Sequence, residues 1–192
     1  MQLALPKPMT REEFLAWEEG QELRYEFDGF QPLAMTGGTV THSAIQHNLH
    51  VVIGGRLRGG PCRYHGSDLK IETARSFRYP DGFVVCSPVA RDASVVRGPV
   101  VIFEVLNDST ARTDLVTKNQ EYAAIDTMRR YIVLAQDAMA GTMFERIGDD
   151  WVGPLLNADS VLRMPEIGIE VALTDLYDGV ELPAADAEPQ TG

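Results

Sequence analysis

The run Val100-Val101-Ile102-Phe103-Glu104-Val105-Leu106 carries a single charged residue in an otherwise apolar stretch. Its length and β-branched content predict a buried central strand. An ionised carboxylate in an apolar layer is costly unless a cation or hydrogen-bond donors compensate it, so Glu104 implies a bound metal or a buried partner. Pro80-Asp81 supplies a second acid just ahead of Phe83-Val84-Val85-Cys86, another apolar strand. If those two strands are neighbours, the two acids can share one cation.

The 192 residues, 44% hydrophobic, suit one compact domain over residues 1–180, followed by a disordered acidic tail over 181–192. No apolar run reaches the length of a membrane span, and the first residues lack the basic start and apolar core of a signal peptide. The expectation is a cytoplasmic protein with no membrane partner. Cys62 and Cys86 form no CxxC pair, and Cys86 falls in a predicted strand, so both are expected as free thiols. The net charge of −11 argues against a protein that coats nucleic acid through its overall field. Between Arg56 and Arg97 the local balance is +4, leaving −15 elsewhere. Those basic positions read as scattered and solvated rather than as one shaped groove.

Thr10-Arg11-Glu12-Glu13 is a capping box that opens a short helix ending near Gly20. Asp28-Gly29 predicts a tight hairpin turn, with Pro32 marking an edge strand. From Thr41, the positions Ile45, Leu49, Val52, Ile53 and Leu57 recur at helical spacing until Gly59-Gly60-Pro61 stops the helix. Ser67 to Thr73, Phe83 to Cys86 and Val100 to Leu106 read as three successive strands. After Asn107-Asp108-Ser109-Thr110 a helix is expected from Thr113 or Asp114, with Leu115, Lys118, Tyr122 and Ile125 facing inward. Tyr131 to Leu134, a hairpin over Gly148-Asp149-Asp150, and Ile167 to Val171 follow. This order suits an α/β fold (α+β mixed sheet) flanked by helices, with an antiparallel hairpin at the edge.

Asp81 and Glu104 with a lysine beside them can run metal-assisted phosphodiester hydrolysis. The two acids, and the backbone carbonyl of Val105, suit Mg²⁺ or Mn²⁺, which seek oxygen ligands. Lys118 would orient the attacking water or stabilise charge on the phosphate. Blander readings stand beside these: Glu104 as a structural ion-pair partner of Lys118, Asp81 as a turn residue, and Lys118 as a solvent-facing position. Glu26 admits catalysis and a structural pairing with an arginine such as Arg24 equally. His42 reads as a first-turn helix residue, with catalysis the alternative. His42, His47 and His50 lack the spacing of a zinc helix. Asp114 suits a helix cap or an ion pair with Lys118 four residues on.

Arg24-Tyr25-Glu26 with Asp28-Gly29, His42 opening a helix, Pro80-Asp81, Glu104-Val105-Leu106-Asn107-Asp108-Ser109-Thr110, Asp114, Lys118 and Tyr122 together resemble the Uma2 family of restriction endonucleases, once catalogued as DUF820. That family is similar in turn to the PD-(D/E)XK nuclease superfamily. The resemblance covers about Thr10 to Tyr177. It implies a restriction-endonuclease-like PD-(D/E)XK core and a Mg²⁺- or Mn²⁺-dependent endonuclease acting on DNA. Asp81 and Glu104 would be the metal ligands, Lys118 the catalytic lysine and Glu26 a further acid. A homodimer fits an enzyme that must cut two strands. The superfamily's usual lysine two residues after the glutamate is here Leu106, which moves the lysine's task to Lys118 on the following helix. Gly82 also departs from the acidic or apolar residue usual after Pro-Asp. The competing class is a catalytically inactive PD-(D/E)XK-fold protein-interaction module.

Overall fold

The computed structural model describes residues 8–35, 37–106 and 113–183. The Asn107-Asp108-Ser109-Thr110 turn and most of the expected tail lie outside the described residues. Helix α1, Arg11–Glu18, starts on the expected capping box: the Glu13 N–H donates to Thr10 Oγ1 at 3.1 Å, and the Thr10 N–H to Glu13 Oε2 at 2.7 Å. Its Phe14 stacks on Phe27 and Phe77, with ring centroids 4.9 and 5.7 Å away, making a small aromatic core.

That core serves a five-stranded sheet. Strands β1 (Tyr25–Phe27), β2 (Pro32–Ala34), β4 (Lys70–Glu72), β5 (Phe77–Arg78) and β7 (Val95–Val96) take the order β2-β1-β5-β4-β7. Pro32 is on an edge strand as expected, where its missing N–H costs no ladder bond. The hairpin turn sits one residue later than expected. Phe27 faces Pro32 and the Asp28 N–H donates to the Gln31 carbonyl, so Gly29 and Phe30 form the turn, with Gly29 at φ 92°.

The second sheet carries the main core. It comprises β3 (Arg63–Gly66), β6 (Gly82–Val85), β8 (Val101–Val105), β9 (Arg130–Leu134), β10 (Gly141–Ile147), β11 (Asp150–Val152) and β12 (Leu155–Leu156). The path is β11-β10-β9-β8-β6-β3, with β12 also on β10. Gly153-Pro154 splits what the sequence suggested was one strand from Trp151 to Leu156. All five residues of β8 are buried; it lies parallel to β9 and antiparallel to β6, which makes the sheet mixed. Helix α2, Val40–Arg56, is capped by Thr39 and packs Ile45, Leu49 and Ile53 onto Val84, Val101 and Phe103. Phe83, Val85, Ile102 and Val133 form the opposite face, under Tyr122 and Met128. Helix α3 opens as π-helical Thr113–Lys118 and continues as α-helical Asn119–Ala123. A hairpin of β13 (Val161–Met164) and β14 (Ile169–Ala172), followed by α4 (Leu173–Leu176), completes the α2 side of the core. Among the described residues no helix is long and apolar enough to cross a membrane.

The cysteines are not free thiols: Cys62 and Cys86 form a disulfide. Arg63 pairs with Val85 across β3 and β6, and one step further along the same register Cys62 meets Cys86. The sequence reading missed β3, and without that strand nothing set the cysteines opposite each other.

Candidate active site

Strand pairing brings the two acids together. Gly82 faces Phe103 across β6 and β8, and the next step of that antiparallel register sets Asp81 against Glu104. Asp81 is fixed from two sides. The Val105 N–H donates to its Oδ2 at 2.6 Å, Gln46 Nε2 donates to its Oδ1 at 2.5 Å, and His42 Nε2 lies 3.2 Å from Oδ2. Gln46 stands one α2 turn beyond His42, so a single helix face delivers both groups. Burial opposes charge on the His42 ring, yet the hydrogen bond with Asp81 and the negative charges of Asp81 and Asp114 together hold its pKa above the usual value.

Glu104 is buried at the meeting of β8 and α3. Lys118 Nζ donates to its Oε1 at 2.9 Å and the Tyr122 hydroxyl to the same oxygen at 3.1 Å. The inward stripe of α3 therefore forms as expected at Lys118 and Tyr122. Its π-helical opening keeps positions four apart near one another, and Asp114 lies 3.0 Å from the Lys118 ammonium. Glu26 reaches the same ammonium at 3.3 Å from β1. Lys118 thus faces three carboxylates from three elements, on the wall of a cavity of about 730 Å³ that Asp81, His42 and Gln46 also line.

Two shifts report the charge balance. Burial raises the pKa of Glu104, and Asp81, Asp114 and Glu26 raise it further against the opposing pull of Lys118. Burial works against charge on Lys118, but Glu104, Glu26 and Asp114 outweigh it and raise its pKa as well. The neighbouring carboxylates push both groups toward holding their protons, and burial adds to that for Glu104 and opposes it for Lys118. Among the described residues no three or more His, Cys, Asp or Glu side chains are already grouped to hold a metal ion. Mg²⁺ needs no such cage, since it binds through one or two carboxylates and keeps several waters. A surplus of acid beside an open cavity fits that ion.

Glu26 also serves a second cation. It accepts from Arg78 Nη1 at 3.1 Å, while Arg78 Nε and Nη2 both donate to Glu121 at 2.8 Å. Arg78 is 1% exposed, and Ser76 Oγ donates to Glu121 as well. Glu26 is therefore brought to both networks, which joins the two roles the sequence left open, though its arginine partner is Arg78 and not Arg24. Arg24 pairs instead with the exposed Asp68, and Lys70 with Glu18, so neither Asp68 nor Lys70 joins the acids.

Gln46, Tyr64, Arg78 and Glu121 are the site neighbours that sequence reasoning missed. Spacing from His42 could have signalled Gln46; the others depend on strands β3 and β5. Tyr64 accounts for Gly82: a Cβ at residue 82 would overlap the tyrosine hydroxyl. That hydroxyl is buried without a hydrogen-bond partner among the described residues, and burial together with the charge of Asp81 raises its pKa.

A mixed α/β fold with paired acids and a buried lysine on a cavity wall defines a nuclease-like domain. The sequence model of the Uma2 family, described as "Putative restriction endonuclease", matches residues 11–174, and the chain belongs to that family. An uncharacterized protein of Synechocystis sp. is 31% identical over 176 residues, covering 90% of this chain and 93% of its own length. A crystal structure described as a "putative nuclease belonging to DUF820", from Anabaena variabilis, superposes with a TM-score of 0.76 at 17% identity. It covers 91% of this chain and 100% of its own.

Proposed function

We propose that this chain is a metal-dependent DNA endonuclease whose Asp81 and Glu104 hold Mg²⁺ or Mn²⁺, with the Val105 carbonyl as a third oxygen. The observation that carries this reading is the buried Lys118 ammonium, 2.9 Å from Glu104 on the cavity that Asp81 lines. A bound divalent ion supplies Lewis-acid polarisation of the scissile phosphate and a lowered pKa for the attacking water.

The chain's own groups do the rest. His42, Gln46 and the Val105 N–H fix the Asp81 carboxylate, and Tyr122 fixes Glu104, so neither acid has to reorganise on substrate binding. Lys118, held by Glu26 and Asp114 as well as Glu104, orients the attacking water and meets the charge that grows on the phosphate oxygens. The acid-rich cavity accepts a phosphodiester only when cations offset its charge, which couples metal loading to substrate binding. Each chain carries one such cluster, and a pair of copies would cut both strands of a duplex.

The test is cleavage of plasmid and oligonucleotide DNA with Mg²⁺ or Mn²⁺, with calorimetric titration of the ions. Cleavage and ion binding should both disappear in Asp81→Ala and Glu104→Ala. A protein that leaves DNA and RNA intact and binds no divalent ion sinks the reading. It would leave an interaction module, in which Glu104→Ala raises stability by removing a buried charge.

A further inference from the structure

Helix α2 serves two cavities. Its amino-terminal half lines the acidic one with His42, Ser43 and Gln46. Its carboxyl-terminal half lines another, of about 410 Å³, with His50, Gly54 and Gly55, which Arg58 just past the helix end and Arg63 and Tyr64 from β3 complete. His42, Gln46, His50 and Gly54 stand four residues apart, so one ridge of the helix, winding by about 120°, runs from cavity to cavity.

The charges are segregated along it. Glu22, Glu26, Asp81, Glu104 and Asp114 all line the first cavity, whereas among the described residues no acid lines the second, in a chain of net charge −11. Arg58 has no ion-pair or side-chain hydrogen-bond partner among the described residues. Arg63 is anchored through Nη1 to the carbonyls of Gly60 and Cys62, the latter at 2.9 Å. Packing does not call for the glycines of the floor. A Cβ at Gly55 meets nothing within 4 Å, and one at Gly54 makes ordinary contact with Tyr64. Each costs the helix roughly 0.5–1 kcal/mol relative to alanine. What they keep is an open floor between two cations.

We propose that this second cavity binds backbone phosphates of the DNA that the acidic cleft cuts, away from the scissile bond. This rests on the endonuclease reading. Unlike Arg24 and Lys118 in the acidic cleft, which are paired with carboxylates, the cations of the second cavity face no acid among its described lining residues, which suits a polyanion, and α2 sets the separation. From His42 to its end at Arg56 the helix rises about 21 Å, roughly six steps of a B-form strand, and Arg58 follows two residues further on. A duplex seated in the cleft therefore reaches the second cavity only when it extends far enough past the cut.

The experiment is fluorescence anisotropy of the intact protein with two labelled hairpin duplexes, of about 8 and about 24 base pairs, across a salt series; the shorter extends only about 14 Å either side of its centre. Arg58→Ala should weaken the longer duplex roughly tenfold near 0.1 M salt and reduce its salt slope by about 0.9, leaving the shorter unchanged. Gly55→Glu, which replaces a poor helix former with a good one, should do the same without loss of folding. The proposal is overturned if both variants bind the longer duplex with the wild-type affinity and slope. It is also overturned if inorganic phosphate or a mononucleotide titrates the cavity in an Arg58-dependent way while duplex binding is untouched, which would mark a free-phosphate site. Wild-type protein that cuts neither duplex sinks the nuclease reading; intact cutting with no length dependence sinks this proposal alone.

Discussion

Lys118 and Arg78 are both buried cations, and Glu26 touches each of them. Arg78 lies wholly inside the protein, with a bidentate bond to Glu121 and a third bond to Glu26. Three of its N–H groups reach two carboxylates, and it lines neither the acidic cavity nor the second one. Lys118 faces three carboxylates, with Asp81 nearby, on the wall of a large cavity. One network is closed around a bidentate pair. The other, among the described residues, gathers three carboxylates about one ammonium beside an opening. Burial alone therefore does not distinguish the two cations; the open space beside Lys118 does.

The largest way to break this comparison is Arg78→Met. It strands Glu121 in the interior, leaves Glu26 with Lys118 as its cation, and should cost about 3–5 kcal/mol in urea unfolding, with the cleavage rate per folded molecule little changed. Lys118→Met should show the reverse pattern. Cleavage falls on the order of 10²–10³-fold, and the stability loss stays below that of Arg78→Met because removal of the lysine opens its carboxylates to water from the cavity. Equal destabilisation by the two variants would erase the distinction. The double variant Cys62→Ser with Cys86→Ser serves as a control away from both cations. It should lower stability by about 3 kcal/mol under non-reducing conditions and leave the ratio of the other two effects intact.

Smaller effects sharpen the electrostatics. The folded-state pKa of Glu104 is raised by burial and by Asp81, Asp114 and Glu26. A carboxyl group with a raised folded pKa contributes stability that is fully present below its unfolded pKa and is lost as pH rises through the folded value. Without divalent ions, chemical denaturation should therefore show stability falling with rising pH above the ordinary carboxylate range. Glu104→Gln should flatten that fall and add about 1 kcal/mol at the alkaline end. Added Mg²⁺ should stabilise the wild type and leave Glu104→Gln unmoved; a wild type indifferent to both pH and ion would contradict the charge deficit.

The central strand, the two acids and the lysine were legible because each follows from a local pattern. An apolar run with one glutamate identifies β8, and spacings of three and four turn Lys118 and Tyr122 inward. The parts that stayed hidden depend on pairings distant in sequence. Strand β5 has two residues, Phe77–Arg78, and β3 has four, Arg63–Gly66, too few for alternation to register. With them went Arg78, Tyr64 and the disulfide, since each is defined by what lies across a ladder. The basic segment from Arg56 to Arg97 resolved into separate fates rather than one groove. Arg56 pairs with Asp175, Arg78 is buried, Arg97 meets Glu72, and Arg58 and Arg63 share a cavity. Nothing in local spacing distinguishes these.

The step-for-step opposition of Asp81 and Glu104 across β6 and β8 also makes the site a check on its own assembly. A slip of one residue in that pairing would turn every side chain of the slipped strand to the other face and part the two acids. Misaligned molecules could still be compact, yet they would lack the charge cluster. Ion affinity measured on a refolded sample would then count the correctly threaded fraction, which compactness alone cannot do.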